Sequence, residues 1–136
     1  MHNYLKNAHS NIDYDPANNT LMLTWHRFAS DEDFRSTMTK FYDLSQEKGV
    51  KKWFFDSRKQ GMVSPDDQKW TISEITNRKF DTTAIKTAVV MPENLFMEVS
   101  VKKISNGLEQ QAEATTVSET FQQFGSPEEA LNWLNR

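Results

Sequence analysis

One run of side chains limits the possible folds more than any other. Lys52-Trp-Phe-Phe-Asp-Ser57 is apolar at consecutive positions, Trp53, Phe54 and Phe55, and lies between two stretches with helical spacing. A strand open to water on one side alternates apolar and polar residues. A strand covered on both sides does not. The run therefore predicts an interior β-strand with layers on both faces, which makes the chain α/β.

The flanking segments carry their own punctuation. Ile12 and Tyr14 alternate with Asn11, Asp13 and Asp15, and Leu21, Leu23 and Trp25 alternate with Met22, Thr24 and His26. The intervening Asp15-Pro16-Ala17-Asn18-Asn19 is turn chemistry, so the two runs form an antiparallel hairpin. Ser30-Asp31-Glu32-Asp33 opens a helix: the serine accepts from a free backbone N–H and the acids face the positive end of the dipole. Phe34, Met38, Phe41, Leu44 and Ser45 give that helix its inward face, and Gly49 ends it.

Ser64-Pro65-Asp66-Asp67 starts a second helix, with Trp70, Ile72 and Ile75 as its apolar residues and an end near Arg78. Thr87–Met91 is another fully apolar strand. Pro92 starts a third helix on Met97, Val101, Ile104 and Leu108. Val117–Phe124 is a last strand. Ser126-Pro127-Glu128-Glu129 starts a closing helix on Ala130, Leu131, Trp133 and Leu134. The expectation is a single domain over residues 1–136, with residues 1–10 loose or extending the first strand. An N-terminal antiparallel hairpin leads into a mainly parallel five-stranded sheet of right-handed βα units with four helices. A sheet that steps sequentially carries its helices on one face and leaves part of the other for the N-terminus or a second subunit.

Several chemistries are absent from this sequence. There is no cysteine, hence no disulfide, thiol nucleophile or thiolate metal site. The four glycines, at 49, 61, 107 and 125, are too scattered for a dinucleotide fingerprint or a phosphate loop. Three histidines without metal-ligand spacing imply no metal, and no cofactor is expected. A net charge of −3 is no footprint for nucleic acid. No segment reaches the ~20 apolar residues of a membrane span, and MHNYLKNAHSN contains no leader-like apolar run, so a cytoplasmic location is expected.

Candidate functional residues are few. Asp56, Ser57, Arg58 and Lys59 follow the central strand at its carboxyl end, where open α/β sheets bind ligands. The competing reading has Asp56 and Arg58 pairing with each other. Asp66 and Asp67 are paired carboxylates on one reading and dipole complements on the other, and the second is preferred. Among nine Phe, four Trp and three Tyr, Trp70, Phe80 and Phe96 are candidates to line an apolar pocket with Met97 beneath the second and third helices.

The hairpin YDPANNTLMLTW, the strand WFFDSR, the helix start SPDDQKW, the step AVVMPENLF and the closing FGSPEEALNWL together resemble the STAS, or anti-sigma-factor-antagonist-like, proteins. They are similar in particular to small bacterial STAS-like proteins related to the CRAL-TRIO lipid-transfer fold. The resemblance implies a non-catalytic domain that binds a protein partner or a second copy of itself, through the loop Arg58–Ser64 and the start of the second helix. Its lipid-transfer side implies the alternative, a carrier of a small apolar ligand or lipid. A third reading is an enzyme using Asp56 and Arg58. In anti-sigma antagonists a serine before a helix is phosphorylated. Ser64 is the matching position, but here the second serine and the glycine of that loop are missing and two acids follow.

Overall fold

The computed structural model describes residues 1–92, 104 and 120–136. Six strands form one mixed sheet in sequential order: β1 (His2–Lys6), β2 (Ser10–Asp15), β3 (Thr20–Trp25), β4 (Lys52–Asp56), β5 (Lys86–Val90) and β6 (Phe121–Phe124). The first three strands are antiparallel, and β3 to β6 run parallel. Three helices are described: α1 (Asp31–Lys48), α2 (Pro65–Asn77) and α3 (Pro127–Leu134). The helix expected after Pro92, with Phe96 and Met97, and the start of the last expected strand lie outside the described residues.

Local chemistry sets the element ends as anticipated. Ser30 accepts from the Asp33 N–H at 3.3 Å, Ser64 from the Asp67 N–H at 3.1 Å, and Ser126 from the Glu129 N–H at 3.3 Å. Gly49 ends α1 at φ 61°, in the left-handed region that glycine enters without penalty. The β2–β3 turn closes through Asn19 at φ 49°.

Three expectations are corrected. The sheet has six strands, because His2–Lys6 is a separate edge strand on β2 and does not prolong it. Its alternation is masked by polar residues and by a register shift between Asn3 and Leu5. Second, the helices do not all lie on one face. Trp53, at 4 % exposure, joins the main core with Leu21, Leu23, Phe41 and Ile75, under α1 and α2. Phe54, at 2 %, packs with Ala88, Val90, Ala130 and Leu134 under α3. α3 packs onto β4, β5 and β6 from the side opposite α1 and α2. Third, the inner side of α2 is largely polar: Asp67, Gln68 and Thr71 are buried with Ile75, while Trp70 and Ile72 are half-buried. Each buried polar group has a partner nearby. Gln68 Nε2 donates to the Val63 carbonyl at 2.8 Å and Thr71 Oγ1 to the Asp67 carbonyl at 2.8 Å.

Candidate functional site

The space between the sheet and the α1–α2 layer is not completely filled. Aromatic rings build one side of it. Trp53 meets Phe41 edge-on with centroids 5.6 Å apart and Phe80 at 5.0 Å, and Phe41 lies 4.8 Å from Phe55. Trp25 stacks on Phe34 at 5.8 Å. Rings this large and rigid cannot close every gap around them. Trp53 is held in place by its Nε1–H, which donates to Ser45 Oγ at 2.8 Å in the interior.

What remains is a cavity of about 100 Å³, measured as the space open to the centre of a water-sized sphere. One water needs roughly 10–15 Å³ on that measure. Trp25, Phe34, Trp53, Phe55, Val89 and Phe121 supply apolar wall. Burial pushes the phenol of Tyr42, another lining residue, well above its usual range, so its O–H stays neutral.

Polar atoms are sparse in this lining and several are unengaged. Ser57, Gln60 and Thr87 all line the cavity and are buried. The Ser57 and Gln60 N–H groups are bonded to backbone carbonyls, but none of the three side chains makes a hydrogen bond among the described residues. Three such side chains around one apolar space suit a ligand with one or two polar atoms.

The residues singled out from sequence fall into separate groups. Of those among the described residues, Ser57 alone lines the cavity. Asp56 points to the other face of the sheet, where Arg58 grips it with a two-pronged bond: Nε to Oδ1 at 3.0 Å and Nη2 to Oδ2 at 2.7 Å. The Arg58 charge is held more firmly by that carboxylate. Lys59 is exposed. Ser64 is engaged as the α2 cap. Trp70 packs edge-on to Phe34 at 6.1 Å beneath the Arg35 guanidinium, and Phe80 packs on Trp53 and Tyr42. Neither lines the cavity, whose wall includes Thr71 and Ile75 of α2 and Ile104 of the expected third helix. Phe96 and Met97 are outside the described residues. Sequence reasoning reached Gln60 only within the loop Arg58–Ser64 and missed Thr87. The only trace of Gln60 is an uncharged side chain beside Gly61 in an otherwise charged turn, and Thr87 gives none.

Among the described residues, no group of three or more His, Asp or Glu is placed to hold a metal ion, and no helix is long and apolar enough to cross a membrane. Compared with known proteins, the chain matches no family model and no curated protein sequence.

Proposed function

We propose that this chain is a non-catalytic, STAS-like binding domain whose interior cavity holds a small apolar ligand. The observation that carries this reading is the aromatic cavity with the Ser57, Gln60 and Thr87 side chains at its wall, none of them hydrogen-bonded among the described residues. An apolar body gains from leaving water for such a space, at about 25 cal/mol per Å² of surface buried. The few polar atoms then fix orientation. The mutual grip of Asp56 and Arg58 supports a structural role for that pair, since each occupies the other's hydrogen-bonding edge.

Native mass spectrometry of the purified protein tests the reading, together with titration by ethylbenzene followed through Trp25 and Trp53 fluorescence. A retained ligand mass or saturable quenching is expected. Thr87→Leu, which fills the space and removes an idle hydroxyl, should raise stability and weaken ethylbenzene binding by about tenfold. A clean apo mass with no saturable response in the parent protein overturns the proposal.

A second reading, contact with a protein partner, is favoured by one feature. Phe28 and Met62 stand 63 % and 53 % exposed beside the loop Arg58–Ser64. Light scattering across a concentration series tests the homodimer form of that reading, and a strict monomer at high concentration removes it.

A further inference from the structure

The interior cavity has a neighbour. A second concavity, about 220 Å³ on the same measure, opens where α1 and α2 begin, beyond the carboxyl ends of β3 and β4. Phe28 and Met62 are its apolar rim, and Asp31, Ser64 and Asp67 are its polar lining. Phe34, Gln60 and Val63 line both spaces, so the two adjoin, the inner one among the aromatic rings and the outer one among the acids.

Gln60 sits in this shared wall at 6 % exposure, and its side-chain amide has no hydrogen bond among the described residues. The amide offers both a carbonyl oxygen and an N–H donor pair. Asp31 and Asp67 line the same concavity, and Asp67 holds the Asp31 carboxyl above the usual carboxylate range. Arg35 takes the Asp67 Oδ1 at 2.7 Å and is therefore committed. At each helix start the capping serine already takes one free N–H, Ser30 that of Asp33 and Ser64 that of Asp67. An incoming anion would meet the Asp31 and Asp67 carboxyls of the lining, with Arg35 already engaged by Asp67. A head that donates hydrogen bonds would find the Asp31 oxygens and the Gln60 carbonyl.

We infer that the outer concavity is the head-group site for the ligand of the inner cavity, and that it takes an ammonium or hydroxyl head and excludes a carboxylate. The inference rests on the ligand-binding reading and narrows its chemical class to apolar bodies with a donor head.

Four probes with one kind of body separate the two claims: ethylbenzene, phenethyl alcohol, phenethylamine and phenylpropionate, each titrated calorimetrically at neutral pH and low salt. The amine is expected to bind at least about tenfold tighter than the carboxylate, with the alcohol between them. Asp31→Asn lies on the exposed rim and should cut the amine-to-carboxylate ratio to about threefold or less while leaving ethylbenzene unchanged. Gln60→Leu should weaken the alcohol. If ethylbenzene binds and the carboxylate equals or exceeds the amine, the head-group inference is overturned and the cavity reading stands. An unchanged ratio in Asp31→Asn also overturns it. If none of the four binds, both readings fall.

Discussion

Replacing Arg35 with methionine tests the contact that ties α1 to α2 across the outer concavity. The Asp67 side chain is 5 % exposed and receives the Arg35 Nε at 2.7 Å, while Arg35 itself is 41 % exposed. Removing one partner from a fully buried pair costs about 3–5 kcal/mol, and a hydrogen bond to a charged group is worth about 1.5–3 kcal/mol. The solvent-facing side of Arg35 lets water reach Asp67 once the guanidinium is gone, which favours the lower range. The guanidinium also lies 5.5 Å over the Trp70 ring, worth about 0.5–1 kcal/mol at an exposed site and partly replaced by methionine packing. The loss should come to about 2–3 kcal/mol. Urea unfolding followed by tryptophan fluorescence measures it by linear extrapolation. Asp67→Asn in the Arg35→Met background should recover about 1 kcal/mol or more, because it removes the stranded charge. The cycle of the two substitutions isolates their coupling. A loss below about 0.5 kcal/mol in the single variant, or strictly additive effects in the pair, would refute the claim that a buried charge is being neutralised there.

Leu134→Ala should cost about 2–4 kcal/mol, since Leu134 is fully buried between α3 and the β4–β5 face. Near-neutral urea midpoints would show that α3 does not dock there. Gly49→Ala should lose about 1 kcal/mol through backbone strain alone, because a Cβ there meets nothing within 4 Å and φ is 61°; Gly49→Asn should lose less. The acidic pair sets a pH dependence. Asp31 holds its proton more tightly folded than unfolded, so its ionisation favours the unfolded chain. The penalty is absent below the ordinary value of 3.8, grows as pH rises from there through the raised folded value, and stays constant above it. Asp31→Asn should therefore melt higher than the parent at neutral pH and converge with it in acid. A constant difference across the whole pH range would contradict that sign.

The elements legible in the sequence were those whose cause is local. A serine three residues before a backbone N–H, a glycine at φ 61° and an asparagine at φ 49° act within one turn of chain. They announce themselves wherever the rest of the molecule goes. The interior strand was equally plain, because Trp53 and Phe54 must be covered from opposite sides. The misread features all depended on distant neighbours. His2–Lys6 is a strand because β2 offers it an edge, not because its own residues alternate. The α2 inner face looked irregular because Asp67 is made tolerable by Arg35 on another helix. α3 takes the sheet face opposite α1 and α2.

The cavity is the extreme case of such dependence. Its wall is drawn from β3, α1, β4, the loop after it, α2, β5 and β6, so no window of sequence contains it. Nothing in Thr87 distinguishes it from a strand residue paired across the sheet until Trp53 and Phe121 are seen at the same level on either side. The same aromatic residues that specify the fold also leave it underfilled: Phe41, Phe55 and Trp53 lock together through edge-on and tilted contacts and cannot shift into the space beside them. A core built to maximise stability would place a leucine at position 87 and an apolar side chain at Gln60. This chain keeps a hydroxyl and an amide there, neither hydrogen-bonded through its side chain among the described residues.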